Sequence, residues 1–143
     1  MIWDTLTSRE LAEVDRNIPV LLPVAATEQH GPHLPLATDR LIVEYYANLL
    51  DAEVNESILI LPSVDIGCSD HHMAFQGTLS LGHATFLSVV KDIVGSVLHH
   101  GFNKIILLNS HGGNQGILQV ALEQLGYEHP DAHFVTTTWW VLA

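Results

Sequence analysis

The chain has 143 residues, of which 48% are hydrophobic, so it can bury the core of one ordinary domain. Its 16 acidic and 5 basic residues give a formal net charge of −11, which excludes a basic patch that could neutralise nucleic-acid phosphates. We expect neither a signal peptide nor a membrane span, because no run approaches the about 20 apolar residues of a membrane helix. Cys68 is the only cysteine, which favours a reducing compartment, the cytoplasm.

Predicted helices and strands alternate along the chain. A short helix follows Thr7 or Ser8 and ends near Asp15, and the apolar run 20–24 predicts a buried strand. Thr38 is expected to cap a helix over 39–50. The remaining elements are strands over 57–62, 104–108 and 133–140, and helices over 83–100, which Gly101 should end, and 115–125, which Gly126 and Pro130 should end. This alternation indicates a single α/β domain, residues 1–143, with a mainly parallel sheet.

The loop after the first strand concentrates carboxylate and imidazole groups. These groups belong to Glu28, His30, His33 and Asp39. Glu28 and His30 are two positions apart, so an extended backbone points both side chains the same way. Prolines on both sides of His33 fix φ and stiffen the loop. Oxygen and nitrogen donors of this kind suit a borderline divalent cation such as Zn²⁺ or Mn²⁺.

The predicted topology gives these donors a common location. Ligands of open α/β sheets bind outside the carboxyl ends of the strands, where Glu28, His30 and His111 are expected to lie. Asp39, at the start of a helix, could bridge two cations, with Glu28 and His111 on one and His30 on the other. Such a pair lowers the pKa of a bound water and polarises a carbonyl, as a hydrolase of amide bonds requires. The alternative is that the same residues only hydrogen-bond a rigid loop.

Three separated motifs resemble the creatininase (creatinine amidohydrolase) family. They are TEQHGPHLPLATD at 27–39, GCSDHHMAFQGTLSL at 67–81 and NSHGGN at 109–114. The resemblance implies a three-layer α/β/α sandwich, a hexameric homo-oligomer and two divalent metal ions, Zn²⁺ and/or Mn²⁺. It implies that Asp39 bridges the metals, that the other metal ligands are Glu28, His30 and His111, and that Ser69 and His72 bind substrate.

The chain departs from the family pattern at several positions. Family members often have glycine at Ala25 and Ala37, proline at Gln76, and an acidic residue where His71 precedes His72. Creatininase itself has a metal-binding glutamate where this chain has Gly113. In the wider family we expect the last carboxylate from a later HAGE-like motif, which this sequence lacks. Because the sequence stops at TTTWWVLA, which we interpret as the middle of an apolar strand, we expect a C-terminally truncated chain whose metal site is weakened.

The resemblance leads to one main hypothesis and several alternatives. The main hypothesis is a metal-dependent amidohydrolase that cleaves a C–N bond in a small cyclic amide, creatinine to creatine by resemblance. Within the family, a formamide hydrolase and a peptidase acting on a modified peptide are alternatives. A non-catalytic metal-binding module and, by fold analogy alone, a nucleotide-binding domain belong to other classes.

Four further features have alternative interpretations. Trp139 and Trp140 either line a substrate pocket or simply pack, and packing is the commoner role of such a pair. Cys68 has no assured basic neighbour, so a nucleophilic role is not expected. The adjacent Ser69, Asp70 and His71 cannot generally satisfy the geometry of a catalytic triad. The segment NSHGGN lacks the lysine and the glycine spacing of a phosphate-binding P-loop.

Overall fold

The computed structural model describes residues 1–54 and 57–142. The helices and strands of this part alternate as α1 Ser8–Glu13, β1 Val20–Val24, α2 Thr38–Val54, β2 Leu59–Ile60, α3 His83–His99, β3 Lys104–Asn109, α4 Gln115–Glu128, β4 His133–Thr138 and α5 Trp139–Leu142. Short 3-10 turns lie at Trp3–Thr5, Asp70–His72 and Gly112–Asn114. No helix in the described ranges combines the length and the apolar character needed to cross a membrane.

The four strands form one parallel sheet in the order β2-β1-β3-β4. The strand β1 is buried along its whole length, as its apolar run predicts. It pairs with β3 from Val20 opposite Ile105 to Val24 opposite Asn109. Because these strands are parallel and in register, their carboxyl ends reach the same edge of the sheet. The predicted parallel α/β sheet is therefore confirmed.

Helices cover both faces of the sheet. On one face, alternate residues of β1 and β3 pack against the apolar stripes of α3 and α4, which include Phe86, Val90, Leu118 and Leu125. On the other face, Leu21 and Leu108 pack against Val43 and Ala47 of α2. Alternate side chains of a strand point to opposite faces, so each strand contributes to both cores. The three-layer α/β/α sandwich expected from the motifs is confirmed.

Two strand predictions were wrong in extent. The strand predicted over 57–62 is limited to Leu59–Ile60, because its ladder with β1 has only two residue pairs and Pro62 lacks an amide donor. The strand predicted over 133–140 ends at Thr138, and Trp139 begins the short α5. The Trp139 ring stacks on Tyr46 of α2 at 5.7 Å between centroids. This contact accompanies the turn into α5, so the described chain does not finish within an apolar strand.

The helix termini match some of the sequence signals. Thr7 and Glu10 form the reciprocal side-chain to backbone hydrogen bonds of a capping box at the start of α1. Gly101 has a φ of +89° and follows α3, as a terminating glycine should. Thr38, however, is the first residue of α2 rather than its cap, and its hydroxyl donates to the Pro35 carbonyl at 2.6 Å.

Other helix boundaries also differ from the predictions. The first helix ends at Glu13 rather than near Asp15, and α2 continues to Val54, four residues beyond its predicted end. The helix α4 passes through Gly126 and ends at Glu128, two residues before Pro130. A glycine inside a helix costs only about 1 kcal/mol relative to alanine, which the packing of α4 on the sheet outweighs.

Candidate metal centre

The fold brings the predicted donors of three segments to one edge of the sheet. Glu28 and His30 lie in the loop after β1, Asp39 is the second residue of α2, and His111 follows β3. Glu28 and Asp39 are each 5% exposed and His111 is 4% exposed. Residues of this polarity are rarely so deeply buried unless they are paired or coordinate an ion. His33 is exposed and belongs to neither of the potential metal-ligand groups found among the described residues.

Asp39 lies between two histidines. Its Oδ1 is 3.2 Å from Nε2 of His30, and its Oδ2 is 3.2 Å from Nδ1 of His111. Nδ1 of His111 is also 3.4 Å from Oε1 of Glu28. The two oxygens of one carboxylate thus face two different imidazoles, which is the arrangement that a bridging carboxylate needs.

Hydrogen bonds decide which nitrogen of His111 carries the proton. Nε2 lies 3.0 Å from the carbonyl oxygen of Cys68, which can only accept, so Nε2 is the protonated nitrogen of the neutral ring. Nδ1 then presents a lone pair to the carboxylates of Glu28 and Asp39. The side chain of Asn109 fixes the His111 backbone by accepting from its N–H at 3.1 Å and donating to its carbonyl at 2.7 Å. A histidine held in this way is prepared to bind a metal through Nδ1.

Carboxylate and imidazole groups converge at this point, and two of the carboxylate oxygens lack a hydrogen-bond donor. Oε2 of Glu28 and Oδ2 of Asp39 are buried without a hydrogen-bond partner, and this Oδ2 lies 3.2 Å from Nδ1 of His111. Burial lowers the pKa of His111, but Asp39, the Cys68 carbonyl and the charge of Glu28 outweigh it and raise that pKa above 6.5. The site thus favours a positive charge. Its carboxylate and imidazole donors fit a divalent cation.

Two residues of the 67–81 loop lie next to His111 and Glu28 of the candidate centre. Ser69 is fully buried, and its Oγ lies 3.4 Å from Nε2 of His111. His72 is half-buried, and its Nε2 lies 3.6 Å from Oε1 of Glu28. The structure therefore places both predicted substrate-binding residues beside the predicted metal ligands. Burial raises the pKa of the Cys68 thiol, and the charge of Asp70 adds to this effect, so the unreactive interpretation of the thiol is favoured.

Gln29 fixes the orientation of His72, a role that sequence reasoning missed. The amide oxygen of Gln29 accepts from the Gly31 N–H at 2.8 Å, so its nitrogen is the group that faces Nδ1 of His72 at 3.1 Å. Nδ1 of His72 must then accept, and the proton of the neutral ring lies on Nε2, toward Glu28. The only sequence signal was the position of Gln29 between two predicted ligands.

Asn114 joins the three loops and was also missed. Its Oδ1 accepts from the Cys68 N–H at 2.9 Å, and its Nδ2 donates to the Ala25 carbonyl at 3.0 Å and to Oδ1 of Asn109 at 3.2 Å. The loops after β1 and β3 and the 67–81 loop thus meet at one fully buried side chain. Its place at the end of the NSHGGN motif was the available signal.

The two neighbouring tryptophans, Trp139 and Trp140, have different environments. Trp139 packs on Tyr46 and also lines an open apolar groove of about 510 Å³, together with residues that include Leu34, Leu41 and Tyr45. Thr38 lines the same groove and immediately precedes Asp39. Trp140 is 40% exposed and contacts Trp139 edge-on. Trp139 therefore both packs and lines a groove that reaches the segment carrying a predicted metal ligand.

Comparison with known proteins identifies the family. The Creatininase family model, described as creatinine amidohydrolase, matches residues 4–143. The chain belongs to the creatininase family. It is 38% identical over 136 residues to the mycofactocin precursor peptide peptidase of Mycolicibacterium smegmatis, covering 92% of this chain and 53% of that protein. It is 30% identical over 132 residues to the creatinine amidohydrolase of Pseudomonas putida, covering 85% of this chain and 50% of that enzyme.

Solved creatininases share the fold of this creatininase-family chain, which spans about half the length of the curated relatives it matches. A mutant creatininase complexed with creatine superposes with a TM-score of 0.87 at 27% identity, covering 99% of this chain and 59% of that one. A manganese creatininase superposes with a TM-score of 0.85 and a Zn-Zn mutant with 0.83, both at 27% identity and covering 98% of this chain and 58% of theirs. These metal forms, with the donor cluster, support divalent metal binding.

Proposed function

We propose that Glu28, His30, Asp39 and His111 hold two divalent cations, Zn²⁺ and/or Mn²⁺, in an amidohydrolase site that cleaves a C–N bond. The observation that carries this proposal is the approach of the buried Glu28 and Asp39 carboxylates to the unprotonated Nδ1 of His111, with one oxygen of each carboxylate lacking a hydrogen-bond partner. When bound, such cations supply Lewis acidity, which polarises a carbonyl group and makes water a stronger acid.

The chain itself supplies the geometry of the proposed centre. Asp39 directs one oxygen to His30 and the other to His111, so we assign it the bridging position. His111 is held by the Cys68 carbonyl at Nε2, which keeps Nδ1 turned toward the carboxylates. Because this hydrogen bond already orients the His111 ring, the ring loses little conformational freedom when a cation binds at Nδ1.

We assign substrate contact and proton handling to the other side of the centre. His72 holds a proton at Nε2, on the side facing Glu28, and Gln29 keeps that tautomer in place. A hydrogen bond from this N–H can stabilise negative charge that develops on a substrate carbonyl. Ser69 Oγ lies 3.4 Å from Nε2 of His111, and its contact with substrate stays a prediction.

A peptide amide is the substrate class we favour. Several relatives carry the name mycofactocin precursor peptide peptidase at 30% identity or more, and the M. smegmatis protein at 38% exceeds the P. putida creatinine amidohydrolase at 30%. The apolar groove beside α2 offers space for a peptide side chain, which creatinine does not have. A creatinine-type cyclic amide is the second candidate, supported by the shared fold. The homo-oligomer implied by the motifs stays a prediction, which light scattering after size-exclusion chromatography would test.

Hydrolysis by metal-loaded protein tests the proposal. The chain would be stripped with chelator, reloaded with Zn²⁺ or Mn²⁺, and incubated separately with creatinine, a formamide and a synthetic mycofactocin precursor peptide. Products would be identified by mass spectrometry. The variant E28Q keeps the shape of Glu28 but removes its charge, and H133A, at the amino-terminal end of β4, removes an exposed histidine on the opposite edge of the sheet.

We expect metal-dependent cleavage of the peptide, loss of cleavage in E28Q and no change in H133A. Cleavage of creatinine alone would replace the favoured substrate class with the second. Binding of metal with no turnover of any substrate would overturn the catalytic proposal and leave a metal-binding module. Absence of metal binding would overturn the whole proposal.

A further inference from the structure

One histidine next to the proposed centre has no assigned role. His71 lies in the 3-10 turn Asp70–His72, and potential ligand atoms of His71, Glu28 and His111 all lie within 4.8 Å of one another. The rings of His71 and His111 are nearly parallel, at 8° and 5.7 Å between centroids. Unlike Glu28 and His111, His71 is exposed, so its ring can meet an ion that arrives from solvent.

The loop that carries His111 cannot supply a further donor at position 113. A Cβ atom on Gly113 would collide with the Cys68 carbonyl oxygen, would lie 2.5 Å from Nε2 of His111 and would lie 3.1 Å from Cε1 of His71. The space that a side chain at this position would need is therefore already filled. Among the described residues, the Asp70–His72 turn brings another imidazole, that of His71, to this side of His111.

Hydrogen bonds hold that turn in place. The Ser69 N–H donates to Oγ of Ser80 at 2.9 Å, and that hydroxyl donates to Oδ1 of Asp70 at 2.6 Å. Within the turn, the His72 N–H donates to the Ser69 carbonyl at 2.8 Å. The backbone that carries His71 is thus fixed at both ends.

We propose that His71 is a ligand of the cation held by Glu28 and His111. This inference rests on the metal centre proposed above and adds a member to its ligand set. With the bridging Asp39, this cation would have two imidazoles and two carboxylates as ligands, which are all donor types that Zn²⁺ accepts. A nitrogen-rich set at this position favours Zn²⁺ over Mn²⁺ there, because Zn²⁺ binds imidazole more strongly.

Zinc titration of the chelator-stripped chain tests the assignment. Zn²⁺ affinity and stoichiometry would be measured by competition with a chromophoric chelator, for the wild type, H71A, H71Q and the control H133A. Heteronuclear NMR of the histidine rings would show directly whether a ring nitrogen of His71 shifts when Zn²⁺ binds. The variant E28Q would report on the proposed centre as a whole.

We expect two zinc equivalents in the wild type, a shift of one His71 ring nitrogen, and at least about tenfold weaker binding of one zinc in H71A and H71Q. H133A should match the wild type. If E28Q loses zinc while both His71 variants match H133A and the His71 ring does not shift, then His71 is not a ligand, although the centre stands. If the wild type binds no zinc, both the centre and the role of His71 are overturned.

Discussion

Replacing Asn114 with alanine should lower the free energy of unfolding by more than a typical single substitution does. The substitution removes the acceptor of the Cys68 N–H and the donor to the Ala25 carbonyl, and both of these backbone groups are buried. Asn109 keeps the hydrogen bond that its Oδ1 receives from the His111 N–H, so it is not left unpaired. Each stranded backbone group costs about 1–2 kcal/mol, which gives a loss of about 2–4 kcal/mol in the free energy of unfolding.

Equilibrium urea unfolding of chelator-treated protein, followed by circular dichroism, would measure this loss. The control is N103A, which removes an exposed asparagine side chain and should change the free energy of unfolding by less than about 0.5 kcal/mol. The variant N114D keeps an acceptor for Cys68 but turns a carboxylate oxygen toward the Ala25 carbonyl, so it should be no more stable than N114A. A loss below about 1 kcal/mol in N114A, with an unchanged slope, would refute the role of Asn114 as the joint of the three loops.

Three further predictions follow from individual positions. Iodoacetamide should alkylate Cys68 at pH 8 more than about tenfold more slowly in the native chain than in urea, because burial and the charge of Asp70 raise the thiol pKa; equal rates would contradict this. G113A should lose about 1–3 kcal/mol of unfolding free energy, because its Cβ would clash with the Cys68 carbonyl oxygen and the His111 ring. A Cβ on Gly112 meets no atom within 4 Å, so the control G112A should not show that loss. Similar urea midpoints for the two variants would argue against the clash. In metal-free protein the pKa of His111 is raised, so its stabilising contribution is complete below the unfolded value near 6.5 and is lost as pH rises through the folded pKa. The difference in unfolding free energy between wild type and H111Q should therefore shrink from pH 6 to pH 8. A difference that does not change with pH would count against this reasoning.

Much of the fold and the meeting of the predicted ligands followed from short-range patterns. The apolar run of β1 and the stripe of α3 that includes Phe86 and Val90 are local signals, and both elements form where expected. The parallel alternation of strands and helices then places residues that follow strands at one edge. Glu28 and His111 could be expected to approach each other for this reason alone, without knowledge of any side-chain contact.

The features that sequence reasoning missed depend on contacts between distant segments. The turn at Trp139 accompanies stacking on Tyr46, whose position depends on the packing of α2. The orientation of the His72 ring depends on the Gln29 amide, 43 residues away in the chain. Local propensity contains no information about such pairs, because each partner is compatible with many environments. Site geometry was therefore less predictable than element order.

The separation of the proposed ligands in sequence has a consequence for the stability of the folded chain. Glu28 and His111 are about 80 residues apart, so a cation shared by them would close a loop comparable to those closed by long-range disulfides. A cation that binds only the folded chain stabilises it by mass action, by about 2.7 kcal/mol when its free concentration is 100 times the dissociation constant. The bound cation would then act as a reversible cross-link whose stabilising effect rises and falls with the free metal concentration.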